Sequence, residues 1–401
     1  MLIIKNILKW ILFFIFYPIK YSVKKSNIVL LSGANDQVYC GNSRYLYEFL
    51  SNDPKLKVYY YTNSIDVKNY LKLHNLNFIS LSNPFALIII MLRAKIIINA
   101  GDSYLNFFGI TDIPSVYKIC LNHGSGPKIE SMAYDSFWDE HIKKCSKFDF
   151  VNFPSKYTVQ KFGKELYGLP MNKIVSFGYP RCDQFYDKNI VQDASDKREY
   201  VDLLFNNKLT SNDKVILYTP TWRPYYYDLP ILKMKDMNLR EFNKWLIDND
   251  FYFVYTNHLN EDSNKKYHFQ ADRIKMIDRN ISNLFDINKL MMEIDILLND
   301  YSTSSVDIAI LDKPQIFFLP DANIYSKKDN FIEEYRSTMP GIEIQDYSSF
   351  IEKIKYIKNN KVSYLLEYKN KSIKLLEKYL YNSNIKSAEK FNQFINRIIS
   401  L

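Results

Sequence analysis

The sequence predicts an α/β protein of two doubly wound units, each built on a parallel sheet. Three observations point there. Short apolar runs, β-branched or aromatic, alternate with helical patterns. The alternation breaks at the charged, helical stretch 193–212 and then resumes. The length, 401 residues, allows two or three domains with a sizeable core in each. Hydrophobic residues at 47% and charged residues at 24% are ordinary globular values, which excludes a disordered chain, a polytopic membrane protein and a collagen-like repeat.

In the first series, residues 27–32, 57–61 and 95–100 read as buried strands, with helices at 43–50 and 66–73. The pattern continues at 116–121, 149–153 and 173–177. Strand–helix alternation implies right-handed crossovers and therefore parallel strands. The second series runs through 214–218, 251–256, 274–277, 296–299 and 315–318, and the Lys- and Ile-rich tail from Tyr347 reads as helical. The expected organisation is a separate segment 1–25, a first unit 26–192, a second unit 193–346 and C-terminal helices 347–401. Two such units place a ligand in the cleft between the C-terminal ends of their strands.

Segment 1–25 carries an apolar run from Ile11 to Tyr17, flanked by Lys5, Lys9, Lys20, Lys24 and Lys25. The stretch between Lys9 and Lys20 is about half of the ~20 residues that a spanning helix needs. Most of the lysines fall on one side of a helical wheel. The expectation is an amphipathic helix lying on an anionic membrane surface with snorkelling lysines; the plainer alternative is a helix packed on the protein's own core. Pro18-Ile19-Lys20-Tyr21 follows the run and offers no small-x-small cleavage site.

The four cysteines, Cys40, Cys120, Cys145 and Cys182, form no CxxC pair, which argues for a reduced compartment and against a zinc knuckle or redox dithiol. Lys+Arg at 53 against Asp+Glu at 44 leaves a formal charge of +9. That suits an acidic partner such as a nucleotide, a phosphorylated substrate or anionic lipid, and is too small to indicate nucleic acid. Glycine is scarce, at 10 residues. Few left-handed turns and no glycine-rich phosphate loop are expected, so an anion site would use helix N-termini and side chains.

Polar residues with chemical potential sit at strand ends. The strand at 116–121 empties into Asn122-His123-Gly124-Ser125-Gly126-Pro127-Lys128. A histidine beside glycines can meet a substrate closely and take a proton near neutral pH; the alternative is a turn whose histidine caps a helix. Lys128 offers a charge for phosphate. After 214–218 comes Thr219-Pro220-Thr221-Trp222-Arg223, with two hydroxyls, an indole and a guanidinium suited to phosphate or base recognition. The strand 251–256 ends at Asn257-His258. In Asn299-Asp300-Tyr301-Ser302-Thr303-Ser304-Ser305-Val306-Asp307, hydroxyl residues crowd the turn where an apolar-periodic helix begins. Backbone N–H groups, the helix dipole and Ser302 to Ser305 would cradle a diphosphate, unless the serines are merely an N-cap with surplus hydroxyls. Asp300 and Asp307 suit such a site only by binding hydroxyls or ordering the loop.

These segments, in this order, resemble the CDP-glycerol glycerophosphotransferase family of teichoic-acid and capsule polymerases and primases. The resemblance rests on His123-Gly124-Ser125, Thr219-Pro220-Thr221-Trp222-Arg223, His258, and Asp300-Tyr301-Ser302-Thr303-Ser304 with Lys313-Pro314. Gly41-Asn42-Ser43, Gly178-Tyr179-Pro180-Arg181-Cys182-Asp183 and Pro340-Gly341 support it. Ser125 stands where the family usually has Thr, and Leu259 follows His258 where Pro is usual.

The resemblance implies a GT-B-like fold of two Rossmann-like domains facing a cleft, with the acceptor on the N-terminal side and the CDP-alcohol held mainly by the C-terminal domain. It implies transfer of a polyol phosphate, glycerol phosphate foremost, from CDP-glycerol or a related CDP-alcohol to a hydroxyl of a lipid-linked glycan or polymer, with release of CMP. His123 would be the general base. His258, Arg223, Thr219, Thr221 and Ser302, Thr303, Ser304 and Ser305 would bind the diphosphate, and Asp307 hydroxyls of the donor. Gly124, Ser125 and Lys128 would face the acceptor. No cofactor or metal is expected, the CDP-alcohol being a co-substrate, and the expected location is peripheral, at the cytoplasmic face of the membrane. The competing function is a GT-B glycosyltransferase using a nucleotide sugar in capsule or lipopolysaccharide synthesis.

Overall fold

A parallel strand with helices on both faces has no solvent side, so it is apolar throughout. Ile28–Ser32, reading Ile-Val-Leu-Leu-Ser, is buried at every position and lies in the middle of such a sheet. The computed structural model describes residues 19–33, 38–101, 104–107, 110–122, 124–127, 135–221, 230–256, 269–277, 283–326, 334–380 and 385–401. The first sheet contains β1 (Ile28–Ser32), β2 (Lys57–Tyr61), β3 (Phe78–Ile79), β4 (Ala94–Asn99), β5 (Tyr117–Cys120), β6 (Phe150–Asn152) and β7 (Ile174–Val175), in the order β3-β2-β1-β4-β5-β6-β7. The second contains β8 (Lys214–Thr219), β9 (Phe251–Thr256), β10 (Ile274–Ile277), β11 (Ile296–Asn299), β12 (Gln315–Phe318) and β13 (Ile342–Ile344), in the order β10-β9-β8-β11-β12-β13. All pairings between these strands are parallel.

Both sheets therefore have the doubly wound order, and the chain reverses direction across the sheet between β1 and β4 and again between β8 and β11. Ligands of such sheets bind outside the strand ends at that reversal. In the second sheet Thr219 of β8 is the register partner of Asn299 of β11, so the two polar segments singled out in the sequence emerge side by side.

The short edge strands β3 and β13 were not legible, because two or three residues carry no periodicity. The charged stretch 193–212 is not one helix. Helices Lys188–Lys197 and Glu199–Phe205 meet at Arg198, which is left-handed at φ 48°. Left-handed positions are also more common than the glycine count suggested. Asn75, Asn122, Asn206, Asp236, Asp250 and Asp312 supply them, as short polar side chains tolerate this conformation.

The helical tail divides its packing. Helix Tyr347–Tyr379 buries Phe350, Ile354, Ile357 and Tyr364 in the second core, bends at Asn360, and then adds Leu375 and Tyr379 to a cluster shared by both sheets' surroundings. Helix Ser387–Ser400 returns to the first core through Ala388, Phe391, Ile395 and Ile398. The carboxylate of Asp183 accepts from the N–H groups of Ser387 and Ala388 at 2.8 Å each, closing the start of this helix. The tail is thus a strap across both units.

Of the segment 1–25, residues 1–18 lie outside the described residues. The lysines just after them have partners in the protein. Lys20 is buried and donates to the carbonyl of Asp112 at 3.5 Å, and Lys25 donates to that of Leu92 at 2.7 Å. Each is directed to a backbone oxygen of the first unit. Among the described residues no helix is long and apolar enough to cross a membrane.

Phe391 is fully buried, edge-on to Phe177 at 5.0 Å between ring centroids. Phe391→Ala should destabilise the protein by about 3–5 kcal/mol in denaturant unfolding. A loss under ~1 kcal/mol would show that the first core does not depend on the returning helix.

Candidate active site

On the second sheet, the site begins with hydroxyls that hold one another. Thr219 and Ser304 pair through their oxygens at 2.9 Å, and Ser304 and Ser302 at 3.0 Å. The Asn299 amide donates to the Ser302 carbonyl at 3.1 Å, while its own oxygen accepts from Thr219 at 3.3 Å. Thr303 is the N-cap of helix Ser304–Ile310 and spends no side-chain hydrogen bond on the cap. The turn is therefore built by side chains rather than by glycines, and its N–H groups donate within it: Ser304 to Ser302 Oγ at 3.3 Å, Ser305 to the Ser302 carbonyl at 3.3 Å and Val306 to the Thr303 carbonyl at 3.0 Å.

Asp300 orders this turn. Fully buried, its carboxylate accepts from the Thr221 N–H at 2.9 and 3.0 Å, from the Thr221 hydroxyl at 2.7 Å and from the Tyr301 N–H at 2.5 Å. The Asp300 carbonyl accepts from the Tyr335 hydroxyl. Two corrections follow. The Thr221 hydroxyl, expected to bind donor phosphate, is directed to Asp300 and fixes the loop between β8 and β11. Asp307, expected to bind donor hydroxyls, faces the N-terminal unit: its oxygens accept from Arg181 Nε at 3.0 Å and Nη2 at 3.1 Å. The bidentate geometry occupies both oxygens and leaves Asp307 a structural charge.

The loop after β5 faces this turn. Asn122 is left-handed at φ 60°, and its carbonyl accepts from the Asn42 amide at 2.8 Å. The Ser125 hydroxyl pairs with that of Tyr179 at 2.9 Å. A Cβ placed on Gly126 would lie 3.2 Å from Thr303 Cγ2, so the glycine permits the two loops to touch. The segments read separately from the sequence, 122–127 and 302–305, thus meet across the cleft. Gly126 and Thr303 make this meeting point; Thr219, Ser302 and Ser304 form the hydroxyl cluster beside Thr303, Ser305 follows on the helix, and Gly124 and Ser125 precede Gly126 in the loop. His123, Lys128, Arg223 and His258 lie outside the described residues.

Arg181 ties the two sides. Its N–H donates to the Asn42 carbonyl oxygen of the side chain at 3.3 Å, its guanidinium lies 4.3 Å from the Tyr179 ring centroid, and its fork holds Asp307. Burial opposes its charge, but Asp307 holds the guanidinium above its ordinary pKa. Burial, with Asp307 beside it, pushes the Cys182 thiol well up, which makes it a neutral donor to that carboxylate. A second clasp lies nearby: Tyr45 donates to Asp286 at 2.7 Å and Arg44 Nη1 stands 3.7 Å from it. The Tyr39 N–H meets the Asn283 carbonyl at 2.8 Å. Arg44, Asp286 and Asn283 carried no recognisable motif, while Arg181 and Asn42 stood in matched segments without an assigned role.

The model of the family described as CDP-Glycerol:Poly(glycerophosphate) glycerophosphotransferase matches residues 15–397. The chain belongs to this family. The teichoic acid poly(glycerol phosphate) polymerase of Bacillus subtilis (strain 168) is 26% identical over 361 residues, 83% of this chain and 44% of the relative. The teichoic acid glycerol-phosphate primase of the same strain is 29% identical over 217 residues, 53% of this chain and 50% of the relative. The chain thus spans half or less of these two relatives' lengths. Among solved structures, the wall teichoic acid polymerase TagF superposes with a TM-score of 0.69 at 18% identity, covering 94% of this chain and 90% of that one. A histidine variant of TagF soaked with CDPG gives 0.69. The fold of this family member is accordingly GT-B-like, as its two doubly wound sheets indicate. Among its described residues, no group of three or more His, Cys, Asp or Glu side chains could hold a metal ion.

Breaking a buried pair leaves one charge uncompensated. Arg181→Ala should therefore cost about 3–5 kcal/mol in denaturant unfolding. The double variant Arg181→Met with Asp307→Leu should recover most of that loss, and failure to recover any would mean that the pair is not the source of the cost.

Proposed function

We propose that this chain transfers a polyol phosphate, glycerol phosphate foremost, from a CDP-alcohol to a hydroxyl of a polymeric or lipid-linked acceptor. The observation that carries the reading is the contact of the 122–127 loop with the 302–305 turn, at Gly126 and Thr303. It joins a basic-residue loop of one unit to an anion-ready turn of the other. Family membership supplies the reaction class.

In this reading the diphosphate lies against Ser302 to Ser305 and Thr219, with Arg223 and His258 adding positive charge. The His123 imidazole takes the proton of the acceptor hydroxyl. The freed oxygen attacks the β-phosphorus, the bond from that phosphorus to the bridging oxygen breaks, and CMP leaves with the bridging oxygen. Charge growing on CMP is met by fixed dipoles and side chains in place before the reaction, which is where such donors contribute most. Gly124, Ser125 and Lys128 border the acceptor. No cofactor is required.

Purified enzyme in EDTA, given CDP-glycerol, CDP-ribitol and a panel of nucleotide sugars, should release CMP from a CDP-alcohol alone. Release of nucleotide from a sugar donor instead would favour the glycosyltransferase reading. His123→Ala should lower turnover by ~10²-fold or more with folding intact, and wild-type turnover would remove His123 from the mechanism.

The reading extends to a peripheral membrane location, supported by the apolar run and by Lys5, Lys9 and Lys24 around it. Each lysine near an anionic surface contributes about 1 kcal/mol. Deleting residues 1–18 should release the enzyme from anionic vesicles while preserving turnover on a soluble acceptor; unchanged vesicle binding would refute the location.

A further inference from the structure

The N-terminal unit has a cavity that the reaction centre does not use. It lies at the sheet's outer edge, has a volume of about 480 Å³, and runs between helix Ile65–Leu73, β3 and the start of helix Pro84–Arg93. That is room for a ligand of several polar units. Ile65, Lys68, Asn69 and Lys72 line it from one helix, a spacing that places all four on a single face. Ser80, Ser82 and Asn83 line the opposite side.

Its charge is one-signed. Lys68 and Lys72 have no carboxylate partner among the described residues, and the Lys72 ammonium stands 6.0 Å from the centroid of the Phe78 ring, which lines the same groove. The opposite side mixes Phe78, Ile79 and Ala86 with polar groups that are already bonded: Ser80 is buried and shares a hydrogen bond with Ser82 at 2.5 Å, and the Asn83 oxygen accepts from the Ala86 N–H at 3.2 Å.

Its position relates it to the cleft. Ser80 to Asn83 follow the C-terminal end of β3, and the 122–127 loop follows the same end of β5. Both open on one edge of the sheet, four strands apart, or about 19 Å at ~4.8 Å per strand. Ser64, which immediately precedes Ile65, accepts from the Asn283 amide of the second unit at 3.1 Å, so the cavity begins where the two units meet.

We propose that this groove holds phosphates of the growing polyol-phosphate acceptor, several units back from the hydroxyl that reacts. The proposal rests on the transferase reading above. A polyanion threaded from the cleft to the sheet edge meets two ammonium groups without a carboxylate partner among the described residues, at the spacing of one helical turn, with hydroxyls and an amide opposite. A short acceptor cannot reach them. The groove therefore distinguishes long acceptors from short ones while leaving the chemical step alone.

The test uses the full chain and glycerol-phosphate oligomers of one and of eight units. In Lys68→Glu/Lys72→Glu, calorimetry without donor should show the octamer bound at least tenfold more weakly than in wild type. The octamer KM should rise by a similar factor, with kcat and the monomer KM within twofold. Lys369→Glu/Lys371→Glu, on the exposed side of helix Tyr347–Tyr379, makes the same charge change and should alter neither. An octamer affinity unchanged in the groove variant, in enzyme that turns over a CDP-alcohol, overturns the groove. Equal KM increases for both lengths also overturn it. Octamer binding that depends on the lysines, in enzyme that turns over no CDP-alcohol, overturns the transferase reading and leaves the groove standing. Vesicles of phosphatidylglycerol should bind both variants alike; a loss confined to the groove variant assigns it to lipid and refutes the polymer.

Discussion

The Arg181–Asp307 pair is the constraint on which the cleft depends. Arg181 follows β7 in the first unit, and Asp307 lies one turn into the helix that follows the hydroxyl-rich turn of the second. Both are buried, with the guanidinium fork on the carboxylate at 3.0 and 3.1 Å. A pair like this is weak evidence for net stability, since desolvation offsets most of the attraction. Its effect is registry. The fork accepts one geometry, and through Asn42 the same arginine's backbone is tied to the carbonyl next to His123. Asp183, two residues on, fixes the start of the last helix. One short segment thereby sets the separation of the loops and anchors the strap that holds both units.

Much of this architecture was legible in the sequence, for a physical reason. Central parallel strands such as β1, β9 and β11 are buried on both faces and so read as continuous apolar runs. The hydroxyl-rich turn after β11 was legible because serines and threonines collect where a helix starts. What escaped was set by contacts distant in the chain. Nothing local marks Asp307 as the partner of a residue 126 positions earlier, and an aspartate beside a phosphate turn reads equally well as a ligand. Thr221 misled in the same way, because its hydroxyl serves Asp300 across the β8–β11 reversal. The carbonyl partners of Lys20 and Lys25 were equally hidden, since sequence displays charge without showing which backbone oxygen receives it.

Glycine scarcity shaped the site. A glycine-rich loop brings backbone N–H groups to a phosphate by removing side chains. Here the turn keeps its side chains and uses them: Thr219, Ser302 and Ser304 bond to one another and to Asn299, while Asp300 draws the neighbouring N–H groups into place. Glycine is kept where two backbones must pass closely, at Gly126 against Thr303. The consequence is a turn held by its own hydroxyls and by the buried Asp300 carboxylate rather than by bare backbone. Its polarity falls on the side where the helix dipole is positive.

The central claim is that a CDP-alcohol's diphosphate lies between the 302–305 turn and the 122–127 loop. A crystal structure of the protein with CDP-glycerol tests it most directly. The account expects phosphate oxygens within hydrogen-bond distance of the Ser302–Ser305 hydroxyls or N–H groups, with the β-phosphorus facing the loop that carries His123. Nucleotide bound at the β1–β4 reversal of the first sheet, with the 302–305 turn unoccupied, would contradict it.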